Sequence, residues 1–196
     1  MACSSQLISN LEIECGSNKG GIRRVWLAPW QDSVKDDTKV PYMTVQNYSE
    51  EGEGKNIPYF ISNVSGLSSD WKEFAFKPNT SQFTTTFNRD DANGTQYYTT
   101  EISMTFRKME TQKRLAIASL ALADVYVVVE DCNGNFWGFG TDGEGAHLSA
   151  NTGQTGTNKT DSNAYNITLS VDSDSLPLQL DEAAVENFPG LKLIEA

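Results

Sequence analysis

Residues 109–140, METQKRLAIASLALADVYVVVEDCNGNFWGFG, decide the fold that this sequence predicts. Leu115, Ile117, Leu120 and Leu122 occur there among compact alanine and serine residues and follow a charged first part, which predicts one amphipathic α-helix over about residues 110–123. The run Val125–Val129 is apolar on both faces, which is typical of a central strand. Asp131–Asn135 has turn chemistry, and Phe136–Gly140 is predicted to return as the paired strand. We therefore expect the core to form around a set of large apolar residues: Leu115, Leu120, Val125, Val127, Val129 and Trp137.

The rest of the chain is polar and strand-like, so the sequence predicts a mainly β fold. We expect a β-sandwich or barrel of antiparallel strands flanked by that one helix, in a single domain spanning residues 1–196. Long loops are expected at about residues 30–70 and 150–163. Alternating apolar residues predict the remaining strands: Ile22–Ala28, Tyr42–Val45, Tyr59–Val64, Lys72–Lys77, Ser81–Arg89, Thr95–Arg107 and Ala164–Val171. Residues 182–187 are expected to form one helical turn.

The net charge of −11 argues against a protein that grips nucleic acid, because phosphate contacts require lysine and arginine. Acidity favours solubility, and an acidic surface could line a path along which nucleic acid passes without sticking. The three cysteines share no metal-ligand spacing. The first sixteen residues lack the pattern of a signal peptide, and no apolar run approaches the roughly 20 residues of a membrane span. We expect synthesis in a reducing cytoplasm and no membrane partner.

Three motifs suggest chemistry, and each fails on its context. Gly138–Gly143 matches G-x-G-x-x-G, but no helical pattern follows, so tight turns or close backbone approach are the better interpretation. Asp131–Asn135 imitates the start of a calcium loop, but Phe136 and Asp142 stand where that loop needs glycine and glutamate. His147 is the only histidine, and no serine lies in a G-x-S-x-G elbow. We therefore expect no cofactor, no metal and no enzymatic activity.

Two other functions stay open at this point. The 26 acidic residues include many pairs from which a carboxylate-based hydrolase could be built. A β-sandwich carbohydrate-binding or adhesin module is the main alternative. It would need exposed aromatic side chains that stack on sugars, and the candidates are Trp30, Trp71, Trp137, Tyr97 and Tyr98.

The segment from the helix to Pro177 resembles the tail tube-like and ring-like structural proteins of tailed bacteriophages, especially those of phages infecting Bacteroides-type hosts. Three features carry most of the resemblance: the helix leading into Val125–Val129, the run Asp131-x-Asn-Gly-Asn-Phe-Trp-Gly-Phe-Gly140, and the pair Gly143-x-Gly145. A loop rich in threonine, glycine and asparagine follows, then Tyr165–Leu169 and Leu176-Pro177. The opening of the chain, Cys15–Ile22 and then Val25-Trp-Leu, is similar as well.

The resemblance implies protomers that assemble into closed rings, which stack into a conduit for DNA in the tail or in the portal–tail connector. It implies no catalytic residues. The implied partners are other copies of the chain and neighbouring tail or connector proteins, with DNA only passing through an acidic lumen during ejection. The implied location is the virion tail, after assembly in the host cytoplasm.

We expect ring-to-ring contact at two polar segments. The first is the acidic, glycine-rich tip at residues 50–55, and the second is the loop predicted over Asn151–Asn163. The candidate contact residues are Glu50, Glu51, Glu53, Lys55, Asn151, Thr155 and Asn158.

Overall fold

The computed structural model describes residues 18–32, 39–47, 59–66, 68–76, 79–142, 144–186 and 188. These residues form eleven strands, with one helix between β6 and β7 and another after β11. The strands are β1 (Ile22–Pro29), β2 (Met43–Asn47), β3 (Tyr59–Val64), β4 (Lys72–Phe74), β5 (Gln82–Asp90), β6 (Thr95–Arg107), β7 (Val125–Asp131), β8 (Phe136–Phe139), β9 (His147–Gln154), β10 (Ala164–Ser173) and β11 (Leu178–Gln179). The helices are α1 (Thr111–Leu120) and α2 (Glu182–Glu186). Neither described helix is long and apolar enough to cross a membrane.

The strands pair into three sheets, and the pairs within each sheet are antiparallel. The five-stranded sheet has the order β11-β8-β7-β1-β4, and the four-stranded sheet has the order β5-β6-β10-β9. The third sheet is the β2–β3 hairpin. The prediction of a mainly antiparallel β-sandwich with a flanking helix is confirmed. The strand Val125–Val129 is central as predicted, because β7 is the middle strand of the five.

The main core lies between the five-stranded and four-stranded sheets. Alternate residues of β7 point towards it, because successive side chains of a strand face opposite sides. Val125, Val127 and Val129 thus meet the inward side chains of β6 and β10. Those partners are fully or nearly fully buried and include Ile102, Met104, Phe106, Ile167, Leu169 and Val171.

A second core covers the other face of the five-stranded sheet. Tyr126 and Val128 of β7 point into it together with Trp26 of β1. The β2–β3 hairpin and the α2 region close this side, contributing Ile61 and Phe188 among others. The five-stranded sheet is therefore the middle of three layers. This position explains why β1 and β7 are apolar on both faces, whereas a sheet with one solvated face would alternate.

The strands of the five-stranded sheet run across those of the four-stranded sheet. At one end of the β1–β7 pair, Ile22 N donates to Ser81 O (3.2 Å), immediately before β5. At the other end, Val125 and Ala146 exchange backbone hydrogen bonds immediately before β9. Because β5 and β9 are opposite edges, β1 and β7 span the width of the four-stranded sheet.

Helix α1 is shorter than predicted and buries fewer residues. It ends at Leu120, after which Leu122 N donates to Ser119 O (3.1 Å) in a tighter turn. Ile117 and Leu120 are buried, but Leu115 is 56% exposed, so its assignment to the core is wrong. Leu115 precedes Ile117 by two residues, about 200° around a helix, and therefore faces solvent. Trp137 is half-buried and packs on Phe83 at the border of the core.

The loop predicted over residues 150–163 is also shorter. Residues 151–154 continue β9, and the connection is limited to residues 155–163. Pairing with β10 overrides the low strand propensity of this asparagine- and glycine-rich segment. Gly153 lies opposite Tyr165, whose ring occupies the space where a side chain at position 153 would lie.

Candidate functional site

The predicted contact segments fall in different places. Glu50, Glu51, Glu53 and Lys55 lie outside the described residues. Asn151 belongs to strand β9, whereas Thr155 and Asn158 lie on the connection from β9 to β10.

That connection is closed by the carboxylate of Asp161. Its Oδ2 accepts hydrogen bonds from Asn158 N (2.7 Å) and Thr157 N (2.8 Å). These bonds lower the pKa of Asp161, and they fix the backbone of Asn158 within the exposed β9–β10 connection.

The four-stranded sheet has two long edges. β5 contributes nine residues and β9 eight, and in the described part of the chain neither has a backbone partner on its outer side. β9, with the sequence HLSANTGQ, contains no lysine, arginine, aspartate, glutamate or proline. β5 carries charge only at its last two residues, Arg89 and Asp90. Proteins usually protect such edges with charge, proline or short strands, so these edges are suited to pairing.

The two edges run in opposite directions. β5 is antiparallel to β6, β6 to β10, and β10 to β9. The chain direction therefore reverses three times between β5 and β9, which leaves the two edge strands antiparallel to each other. A second copy in the same orientation can therefore place its β5 antiparallel to β9 of the first. The inward-facing Phe87 supports this arrangement, because it is 49% exposed at the β5 edge and stacks on Tyr98, with 5.0 Å between the ring centroids.

The outer face of the four-stranded sheet is a network of hydroxyl and amide groups. Thr105 Oγ1 donates to Asn166 Oδ1 (2.9 Å), which links β6 to β10. Thr99 Oγ1 donates to Asp172 Oδ1 (2.7 Å) and accepts from Asn88 Nδ2 (2.9 Å), which extends the network to β5. Cross-strand pairs of this kind stabilise a sheet. They also leave a broad surface on which hydroxyl groups outnumber charges.

One end of this sheet is acidic. A cleft of about 250 Å³ is lined there by Tyr97 of β6, Ser173 of β10, and four carboxylates. The carboxylates are those of Asp142, Glu144, Asp172 and Asp174. The β5–β6 turn lies at the same end and adds Asp90 and Asp91, the second of which pairs with Arg89 at 2.5 Å.

The opposite end of the sheet is basic. β6 ends there at Arg107, and α1 begins four residues later. Lys113 Nζ donates to the carbonyl oxygens of Arg107 (2.5 Å) and Lys108 (3.2 Å), which holds Lys113 at this end. Glu110 pairs with Lys108 at 2.5 Å, and this contact lowers the pKa of Glu110 and raises that of Lys108.

A buried glutamate is paired with two more exposed arginines away from both ends, at a β-bulge in β1. The register of β1 against β7 shifts between Ile22 and Arg24, so two consecutive arginines face one glutamate. Glu130 is 3% exposed and accepts from Arg23 Nη1 (3.2 Å) and from Arg24 Nε. Arg24 also lies over the ring of Trp26, 4.9 Å from its centroid. All three charged groups have partners, which makes this a structural pair.

Two of the three sequence motifs have structural roles in the described residues. Gly138 lies where a Cβ atom would be 1.9 Å from Ile61 Cδ1, and Gly140 has φ of +90°, so close approach and turn geometry explain both. Asp131 closes the β7–β8 hairpin turn, as predicted. Among the described residues no group of three or more histidine, cysteine, aspartate or glutamate side chains could hold a metal ion.

The aromatic residues considered for sugar binding are mostly covered. Trp71 is buried against Phe188, and its Nε1 donates to Ser65 O (3.0 Å). Trp30 and Trp137 are half-buried. Tyr98 stacks on Phe87, and Tyr97 is 40% exposed beside the acidic cleft.

Sequence reasoning missed the two sheet edges and the two charged ends. The absence of charge in residues 147–154 could have indicated the β9 edge. The clustering of four basic residues in 107–114 could have indicated the basic end of the sheet. No protein-family model, curated protein or solved structure matches the chain.

Proposed function

We propose that this protein is a virion structural protein, the subunit of a closed ring in a phage tail or portal–tail connector through which DNA passes. The observation that carries the proposal is the pair of long, oppositely directed edges of the four-stranded sheet, neither of which pairs on its outer side with any strand in the described part of the chain. The resemblance of residues 109–180 to phage tail tube-like and ring-like proteins agrees with it.

A ring satisfies both edges at once. If β9 of each copy pairs with β5 of the next, the outward backbone N–H and C=O groups along the paired length of both strands gain partners. This contact is heterologous, so it forms a ring when the rotation between copies closes. It would also cover Phe87, and Asn151 of the next copy would lie on the same inward side of the continuous sheet.

The outer face of the four-stranded sheet is suited to line the lumen. Its outward positions are mostly threonine, serine and asparagine, with carboxylates at Asp90, Glu101 and Asp172 and one arginine at Arg107. A phosphate backbone is held by clustered lysine and arginine, and such a surface gives it few attachment points. DNA is therefore proposed to pass without being bound.

The proposal includes no enzymatic activity and no cofactor. The partners are other copies of this chain in the ring and neighbouring tail or connector proteins. The proposed location is the virion tail, assembled in the host cytoplasm.

The ring is tested by placing a charge at the proposed β9–β5 contact. Asn151→Lys puts an ammonium group on the inward side of the β9 edge, where the neighbouring copy would bury it. A buried unpaired charge costs more than about 1.4 kcal/mol, so each contact should weaken at least about tenfold. Light scattering coupled to size exclusion, together with negative-stain electron microscopy, should show rings for the wild-type protein. The same measurements should show monomers for the Asn151→Lys variant.

The matched control is Asn93→Lys, which makes the same replacement in the exposed β5–β6 turn, three residues beyond the end of β5 and outside the proposed β9–β5 contact; it removes the hydrogen bond from Asn93 Nδ2 to Asp90 Oδ2 (2.6 Å). This variant should keep the ring. A wild-type protein that stays monomeric at high concentration and is absent from particles would overturn the proposal, and so would rings that survive Asn151→Lys unchanged.

A carbohydrate-binding or adhesin module is the second candidate. The one observation that favours it is Tyr97, exposed beside four carboxylates that could accept hydrogen bonds from sugar hydroxyls. Tight and specific binding on a glycan array, lost in Tyr97→Ala, would promote this function over the ring.

A further inference from the structure

The two ends of the four-stranded sheet carry opposite charge. We propose that rings of this protein stack head to tail, with the basic end of each copy docked on the acidic end of a copy in the next ring. This inference rests on the proposed ring and specifies how one ring recognises another.

Strand β6 connects the two ends directly. Tyr97 lies near its beginning in the acidic cleft, and Arg107 is its last residue. At about 3.3 Å per residue the two positions are about 30 Å apart along the strand. In a ring built by pairing β9 with β5, every copy has the same orientation, so all acidic ends lie on one face of the ring and all basic ends on the other.

The basic end is a local exception in an acidic protein. Residues 107–114 contain four basic side chains and the one carboxylate of Glu110, a net charge of +3 in a chain of net −11. Lys159 and Asp161 on the adjoining connection cancel each other and leave this value unchanged. The geometry holds these groups together, because Lys113 bonds the carbonyl oxygens of Arg107 and Lys108. Thr155 and Asn158 lie on the connection at the same end of the sheet, where Lys108 N donates to Asn163 O (2.8 Å).

The acidic end has the complementary charge. The four carboxylates of its cleft contribute −4 on an exposed surface. Within the described part of the chain, the side chains of Glu144 and Asp174 have no hydrogen-bond or ion-pair partner, and neither does the guanidinium group of Arg114. These groups are therefore available to a second copy.

Charge complementarity at the two faces makes stacking directional. Opposite ends attract, whereas two basic or two acidic faces repel, so only head-to-tail order is favourable. Two stacked rings make this contact once for every copy, so the rings can bind each other tightly even if each single contact is weak. Such a contact should also weaken with salt, because screening at about 1 M reduces the Debye length to about 3 Å.

The test uses two charge-reversal variants of the full chain. R107E/R114E changes the basic end from +3 to −1, and E144K/D174K changes the acidic cleft from −4 to neutral. Both should form rings, because neither alters the β5 or β9 edge. Each variant alone should give single rings at about 0.1 M salt, with at least about tenfold fewer stacks than wild type by electron microscopy.

Mixing the variants separates electrostatic docking from misfolding. R107E/R114E retains its acidic end and E144K/D174K retains its basic end, so the mixture should form pairs of rings but no longer stacks. Pairs in the mixture, together with wild-type stacks that dissociate in about 1 M salt, support the proposal.

Variants that stack alone as well as wild type, a mixture that stays as single rings, or wild-type rings that never stack overturn it while leaving the ring intact. A wild-type chain that forms no ring overturns the proposed function itself, and the stacking with it.

Discussion

Asp131 organises the turn between β7 and β8. Its Oδ1 accepts from Asn133 N (2.7 Å) and Asn135 N (2.9 Å), and its Oδ2 accepts from Asn135 Nδ2 (3.0 Å) and Trp137 Nε1 (3.2 Å). Partial burial raises the pKa of Asp131, but the hydrogen bonds, those of Asn135 first, outweigh it and hold the pKa below its ordinary value.

The depressed pKa of Asp131 predicts a pH dependence of stability. A carboxyl group whose pKa falls on folding stabilises the protein above its unfolded pKa of about 4, and the contribution is lost as the pH falls through the folded pKa. At pH 7 Asp131→Asn should therefore be less stable than wild type by about 1 kcal/mol. Urea unfolding between pH 7 and pH 3 should show this difference shrinking with acidity. A stability difference between wild type and Asp131→Asn that stays constant with pH would contradict the lowered pKa of Asp131.

Gly138 predicts a packing conflict at one atom. An alanine Cβ at this position would lie 1.9 Å from Ile61 Cδ1, which is buried in the second core. Overpacking typically costs about 1–3 kcal/mol, so Gly138→Ala should lower the free energy of unfolding by about 2 kcal/mol. Ile61→Val removes the Cδ1 atom, and the double variant should be more stable than the sum of the single variants predicts. Additive costs in denaturant titrations would show that the strain lies elsewhere.

Helix α1 has one buried face, so its two leucines, Leu115 and Leu120, differ in burial and in their expected effect on stability. Leu120→Ala should cost about 2–4 kcal/mol, because Leu120 is buried in the main core. Leu115→Ala on the exposed face should change stability by less than about 0.5 kcal/mol. Chemical denaturation of the two variants provides an internal control, since both make the same replacement in the same helix. If the two variants lost equal stability, both faces of α1 would have to be in contact with protein.

At the scale of elements, local patterns were sufficient for most of the secondary structure. The β5–β6 hairpin follows from alternating residues around Asp-Ala-Asn-Gly, and the β2–β3 and β7–β8 pairs from similar signals. The continuation of β9 to Gln154 was not predictable from its residues, because the pairing with β10 that stabilises it involves positions far along the chain. The extent of α1 was overestimated because its helical composition continues to Ala123, whereas the chain passes into a tighter turn after Leu120.

At the scale of the whole molecule, the five-stranded sheet joins the two cores. Adjacent residues Val127 and Val128 are each fully buried and point into opposite cores. Val127→Ala and Val128→Ala should each cost about 2 kcal/mol, and each should shift a single cooperative unfolding transition. Near- and far-ultraviolet circular dichroism should give coincident curves for both variants. Two separate transitions, with only one shifted by each variant, would mean that the cores unfold independently.

The sequence by itself determined the mainly β class, the central strand at Val125–Val129 and the turn at Asp131, because side-chain alternation and turn chemistry are local properties. Only the tertiary structure decided the third layer, the crossing of β1 and β7 over the four-stranded sheet, and the exposure of Leu115. It also brought Tyr97, Asp142 and Asp172 together at one end and left β5 and β9 as edges. These features depend on contacts between residues far apart in the chain, and no local pattern specifies which distant partners meet.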